Sequence, residues 1–210
     1  LIIGLGYDPV EFNYESWIPN VPLIHFDTKE TDFPVSDNFE QYIGQPDEWF
    51  DILKNINSGS LVFENKVVEG IRDEMSSVFE GFTGHFGPVA ALKVLRAELP
   101  VDSIVTVDVG SHLHLAGQYW KEGSEGEFII SNGWSGMGFG IPAALAAQIN
   151  RPGSTVACIT GDGGFLMMAG EMVTAKRYNL PVIVIVFSDG ELNLIKLKQS
   201  WKELPPYGTV

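Results

Sequence analysis

Apolar residues along the last 120 or so positions fall into alternating strand and helix patterns. Ser103–Val109 (SIVTVDV), Thr155–Thr160 and Val182–Phe187 are near-continuous apolar runs rich in β-branched side chains, as expected of strands covered on both faces. Phe128–Ile130 is a shorter strand. Between these runs, Val89–Leu99, Leu113–Trp120, Ile141–Ile149 and Phe165–Tyr178 are expected as helices, with Pro88 and Pro142 at first-turn positions. Repeated β–turn–α units predict an α/β fold, a parallel sheet with helices on both faces. Upstream, Leu1–Gly6, Leu23–Asp27 and Phe39–Gly44 read as short strands and Asp47–Ile56 as a helix. Asn57-Ser58-Gly59-Ser60 breaks the composition. Leu61–Phe79 then returns to helical spacing (Val67, Ile71, Met75, Val78), and GFTGHFG at Gly81–Gly87 is a glycine-rich junction. The expected organisation is a first unit over 1–57, a linker over 58–86 and a second domain over 87–210.

Composition narrows the class of protein. In 210 residues, 45% are hydrophobic and 19% charged, values at which a chain folds around a core. A formal net charge of −14 argues against a general nucleic-acid or anionic-membrane surface, since both need a positive field. A phosphate ligand stays open, because backbone N–H groups and a metal supply positive charge locally. One cysteine, Cys158, rules out an internal disulfide and fits a cytoplasmic setting. The opening at Leu1 directly on a strand-like LIIGLG, and the end at Val210 soon after a predicted helix, are expected of a segment of a longer polypeptide.

Two acidic turns carry the chemistry. Gly161-Asp162-Gly163-Gly164 follows one apolar strand, and Ser188-Asp189-Gly190 follows the next. In parallel sheets ligands bind beyond the carboxyl ends of the strands. The two aspartates stand 27 positions apart, the span of one βαβ crossover. Glycines at the start of a helix leave N–H groups for a phosphate. A carboxylate beside that phosphate needs a cation between them, and oxygen ligands suit Mg²⁺ or Ca²⁺. Gly4-Leu5-Gly6 is half of a dinucleotide fingerprint, but Pro9 stands where the third glycine belongs. A nucleotide-binding protein using this turn is the weaker alternative.

These segments together resemble the thiamine-diphosphate-dependent enzymes, the acetolactate (acetohydroxyacid) synthase large subunits in particular. GPVAALKVLRAELPVDSIVTVDVGSH is similar to the entry of their diphosphate-binding domain. SNGWSGMGFGIPAALAAQI is similar to the segment that meets the aminopyrimidine, and LIIGLGYDPVEF with LIHFD to the end of their Rossmann-like central domain. The resemblance implies thiamine diphosphate and Mg²⁺ as cofactors, with FAD a further candidate. It implies Asp162, Asp189 and the main-chain carbonyl of Glu191 as metal ligands. Gly163 and Gly164 would face the diphosphate, as would the turn Gly110, Ser111 and His112. Ser135, Gly136 and Met137 would meet the aminopyrimidine, with Met137 wedged under the bent cofactor. The implied reaction joins two pyruvates into acetolactate with loss of CO₂. The implied assembly is a homodimer or homotetramer with the site at a subunit interface, acting on 2-oxo acids and not on nucleic acid or membrane.

The family usually has Asn where this chain has Asp189, so an extra negative charge stands beside the diphosphate. The glutamate that activates the aminopyrimidine belongs to a separate domain in this family. Nothing in these residues matches it, so the chain alone is expected to be inactive. Another 2-oxo-acid decarboxylase or oxidase of the family, or a non-catalytic member with weakened cofactor binding, are the alternatives. His112 and His114, two apart, would share a face only in a strand. Ser188 is expected to be a bystander, Met167 and Met168 core fillers, and the Glu171 and Glu191 side chains surface groups.

Overall fold

In a computed structural model, the protein is described over residues 1–6, 22–30, 39–55, 65–81, 86–120, 126–131 and 134–210. These fall into two compact units, Leu1–Asn65 and Lys66–Val210.

The first unit holds a three-stranded parallel sheet, β1 (Ile2–Leu5), β2 (Leu23–Asp27) and β3 (Phe39–Ile43), in that order. Phe26 on the central strand is fully buried and stacks on Tyr42 at 5.3 Å. Helix α1 (Pro46–Lys54) follows, opened by Pro46 and by a Glu48 carboxylate that accepts the Gln45 N–H at 2.9 Å. Gly6 adopts a left-handed φ of +60° and ends β1, its N–H bonded to the Phe26 carbonyl at 2.8 Å. That glycine serves the turn. Pro9 lies outside the described residues, so the rest of the Gly4-Leu5-Gly6 reading does too.

In the second unit the chain runs through α2 (Asn65–Gly81), α3 (Pro88–Glu98), β4 (Ile104–Val107), α4 (Ser111–Tyr119) and β5 (Glu127–Ile130). It continues through α5 (Gly140–Asn150), β6 (Val156–Gly161), α6 (Asp162–Met168), α7 (Glu171–Tyr178), β7 (Val182–Phe187) and α8 (Asn193–Trp201). All strands are parallel, in the order β5-β4-β6-β7. Side-chain alternation along β4 and β6 builds two cores, one per face. Val105, Val107, Ala157 and Ile159 pack with Leu92, Leu99 and Ala116 of the α3–α4 side. Ile104, Val156 and Cys158 pack with Ile141, Ala144, Leu145 and Ala175 of the α5–α7 side. Each fully buried Val, Leu or Ile contributes about 1.5–3 kcal/mol of transfer free energy. Burial pushes the Cys158 thiol up to about 11, so it remains a protonated core group.

Two elements and one side chain differ from the expected pattern. The helix expected over Phe165–Tyr178 begins earlier, at Asp162, and is divided at Ala169-Gly170. There the N–H groups of Met172 and Val173 bond three residues back, to Ala169 and Gly170; a glycine inside a helical run weakens it at that point. Met167, expected in the core, is exposed on α6. Strand β7, expected to be covered on both faces, is the outermost described strand on its side, and its Ile183 and Val186 are exposed.

The strand order fixes where a ligand fits. From β4 the chain moves outward to β5, then returns across the sheet to β6 on the other side of β4. Helix α4, after β4, packs on one face, and α6, after β6, on the other. A crevice therefore opens between the carboxyl ends of β4 and β6, the switch point at which open α/β sheets bind ligands.

Candidate functional site

A cleft of about 440 Å³ occupies that crevice, within the range of small-molecule sites. Its walls come from the turn after β4 (Val109–His112), the turns after β6 and β7, the Ser135–Met137 stretch and the start of α8. Of the residues singled out from sequence, Gly110, Ser111, His112, Ser135, Met137, Asp162, Gly163, Gly164, Asp189 and Glu191 line it. Gly136 does not; it is exposed beside it.

The two acidic turns abut because β6 and β7 pair in register up to Gly161 and Phe187. Asp162 holds them together. Its Oδ2 accepts the Gly190 N–H at 2.9 Å and the Ser188 hydroxyl at 3.1 Å, and its Oδ1 accepts the Gly163 N–H at 2.8 Å. Ser188 is thus a partner of Asp162. These donors, the Gly190 N–H first, hold the Asp162 carboxyl below its ordinary range against the opposing pull of burial. Gly163, expected to present its N–H to a diphosphate, spends it on Asp162, since an orphan first-turn N–H takes the nearest acceptor.

Asp189 is engaged within its own turn. Its Oδ1 accepts the Glu191 N–H at 3.1 Å and its Oδ2 the Asn193 side-chain amide at 3.0 Å. The Glu191 carboxylate pairs with Lys196 at 2.6 Å, so a cation offsets part of the local charge. Among the described residues no three His, Cys, Asp or Glu side chains group as a metal cluster. The set available here is two carboxylates on abutting turns plus main-chain oxygen. An all-oxygen set of this kind fits a hard divalent cation.

Beside the strand ends that carry the acidic turns stands His112. It is buried, stacks on Phe187 at 6.4 Å, and leaves Nε2 without a hydrogen-bond partner among the described residues. An orphaned donor or acceptor in a cleft wall suits a polar ligand. In helix α4, His112 and His114 point apart: the first is buried and the second exposed, so a two-histidine metal face does not form. Burial pushes the His112 imidazole below its ordinary 6.5, outweighing the carboxylates of Asp108, Asp189 and Asp162 that act the other way. Below pH 6.5 the unfolded chain binds this proton first, so stability falls as pH drops through that window. The expected NMR titration midpoint of His112 lies below 6.5; a midpoint at or above it would contradict this burial argument.

The glycine-rich stretch bends tightly over α6. Ser135 sits at φ 44° and Gly138 at φ +88°, and a left-handed non-glycine residue is a local strain worth noting at a candidate site. Met137 reaches over the first turn of α6, its Cε 3.0 Å from where a Cβ on Gly163 would stand. One residue that sequence reasoning passed over is Asp108. Fully buried, it links β4, β6 and this stretch through hydrogen bonds from Val109, Gly138 and Thr160. The available signal was a lone carboxylate inside the apolar run SIVTVDV.

Residues 108–209 match the family model for the thiamine pyrophosphate enzyme C-terminal TPP binding domain. The large subunit of acetolactate synthase isozyme 2 from Escherichia coli (strain K12) is 41% identical over 113 residues, 54% of this chain and 20% of that protein. The acetolactate synthase large subunit of Buchnera aphidicola subsp. Schlechtendalia chinensis is 28% identical over 220 residues, covering 97% of this chain and 37% of that protein. In fold, the chain is similar to the thiamine diphosphate-dependent 4-hydroxybenzoylformate decarboxylase of Rhodococcus jostii RHA1. The TM-score is 0.63 at 21% identity, over 92% of this chain and 36% of that one. Even where it aligns along almost its whole length, the chain spans little more than a third of these proteins.

Proposed function

We propose that the cleft binds thiamine diphosphate with Mg²⁺, because residues 108–209 match the family model for the thiamine pyrophosphate enzyme C-terminal TPP binding domain. The protein would act as a carboligase of 2-oxo acids, acetolactate synthase-like, joining two pyruvates with loss of CO₂. One observation carries the reading: Asp162 draws the turns after β6 and β7 together inside a cleft that Met137 and His112 also line.

In this reading Asp162, Asp189 and the Glu191 main-chain oxygen hold the cation, which lets a diphosphate lie beside two carboxylates. Gly110, Ser111, His112 and Gly164 form the diphosphate side, and Gly163 joins them if its N–H leaves Asp162. Ser135, Gly136 and Met137 form the aminopyrimidine side, with the Met137 side chain fixing the bend. When bound, the thiazolium supplies an electron sink for decarboxylation. The chain's own work is to orient the cofactor, to keep a neutral His112 at the phosphate wall and to exclude water with Phe187 and Met137. Exposed Trp134, Leu166 and Met167 support a homodimer or homotetramer with the site at a subunit boundary.

Calorimetric titration of the full-length gene product with thiamine diphosphate, with and without Mg²⁺, combined with a pyruvate turnover assay and sedimentation, tests this. Mg²⁺-dependent binding, turnover and an oligomer are expected, with no turnover by the 210-residue chain alone. Absence of binding would sink the proposal. Binding without turnover would favour the non-catalytic reading, which Asp189 motivates because its carboxylate is already committed to Glu191 and Asn193. Asp189→Ala is expected to weaken Mg²⁺ on the order of tenfold; an unchanged affinity would remove Asp189 from the ligand set.

A further inference from the structure

Asp108 stands where the two halves of the proposed site meet. Its carboxylate is fully buried, and no Lys or Arg pairs with it among the ion pairs of the described residues. A buried carboxylate is held in place by hydrogen bonds. Oδ1 accepts the N–H of Val109 at 2.7 Å and of Gly138 at 2.9 Å, while Oδ2 accepts the Thr160 hydroxyl at 3.0 Å. Gly138 follows Met137 directly, and Thr160 lies two residues before Asp162. One carboxylate thus spans from the aminopyrimidine stretch to the strand end that carries the metal turn.

Neighbouring contacts reinforce the staple. Thr106, on the same face of β4, donates to the Gly140 carbonyl at 2.9 Å, so β4 grips the stretch at two points. A Cβ on Gly140 would come 3.0 Å from the Asp108 Cβ, and one on Gly164 would collide with its Oδ2. Asp108 therefore touches the glycine-rich stretch, the end of β6 and the first turn of α6 together.

We propose that Asp108 is a positioning residue that sets the separation between the Ser135–Met137 stretch and the Asp162 turn, and so the fit of a bent cofactor rather than the anchoring of its diphosphate. This rests on the thiamine-diphosphate reading of the cleft. The two parts can be probed apart, because inorganic pyrophosphate with Mg²⁺ would use the metal and diphosphate sides without the Ser135–Met137 stretch.

In the full-length protein, Asp108→Ala is expected to weaken thiamine diphosphate with Mg²⁺ by about tenfold or more, while pyrophosphate with Mg²⁺ changes within about twofold. Asp108→Asn should restore most of the loss. Its amide oxygen can accept from Val109 and Gly138, and Thr160 can turn its hydroxyl to the Gly161 carbonyl, 3.1 Å away. Parallel loss of both ligands, or no loss of either, overturns the proposal. Should Asp108→Ala fail to fold by circular dichroism, Thr160→Val provides the test. It removes one donor to Asp108, so thiamine diphosphate should weaken while pyrophosphate holds; equal responses overturn the proposal. If the unmodified protein binds neither ligand, the cofactor reading itself fails and this inference with it.

Discussion

Asp162→Ala should remove Mg²⁺-dependent binding of thiamine diphosphate almost entirely, lowering affinity by about a hundredfold or more. That corresponds to roughly 2.7 kcal/mol. Two losses combine. In the proposed ligand set a charged oxygen would leave the cation's shell, and the Ser188 hydroxyl and Gly190 N–H lose the acceptor that ties the β7 turn to the β6 turn. Fold stability should change much less, because the turn lies at the cleft surface and water can replace the lost acceptor. Asp162→Asn keeps an acceptor for those donors and lacks only the charge, so it should fall between the two. Calorimetry with Mg²⁺ and a thermal melt on the same sample separate binding from folding. A melting temperature that falls in step with affinity would show that Asp162 is a structural tie and not a ligand.

Gly164→Ala should have the largest effect on stability. Gly164 is buried in the first turn of α6, and a Cβ there meets the Asp108 Oδ2, with Asp108 Cγ and Thr160 Oγ1 each 3.0 Å away. None of these atoms can give way cheaply, since the Asp108 carboxylate is pinned by Val109, Gly138 and Thr160. Overpacking of this kind costs about 1–3 kcal/mol, or a fall in melting temperature of several degrees for a domain of this size. Gly170→Ala makes the contrast. That site has right-handed backbone and, among the described residues, no atom within 4 Å of a new Cβ, so the change should be neutral or stabilise by up to about 1 kcal/mol. A Gly164→Ala protein that melts like the parent would mean that the contact relaxes freely.

The strands were legible because each signal was local. Val182–Phe187 and Val156–Ile159 are uninterrupted apolar runs, and the glycines around Asp162 announce a turn. What could not be read locally was which polar group closes on which. Asp108 and Thr160 meet only because β4 and β6 are neighbours, which no periodicity states. The hydrogen bonds of Asp162 to Ser188 and Gly190 need the β6–β7 register, and the turning of Asp189 toward Asn193 depends on how α8 begins. The interruption at Gly170 was visible in principle, since a glycine within an otherwise good helical run weakens it. Cover on β7 is a property of what lies next to a strand and cannot be read from its own residues.

The strand order has a further consequence, for assembly. The hydrogen bond from Thr160 to Asp108 joins residues 52 apart in sequence, and β5 and α5 must be laid down between them. Closing a long loop before any contact compensates is the slow part of forming a parallel sheet. The cleft has one wall on β4 and the other on β6, so neither wall alone completes the site. A ligand that spans both walls, as the proposed cofactor would, stabilises the finished domain, and its binding free energy accrues to the native state as a whole.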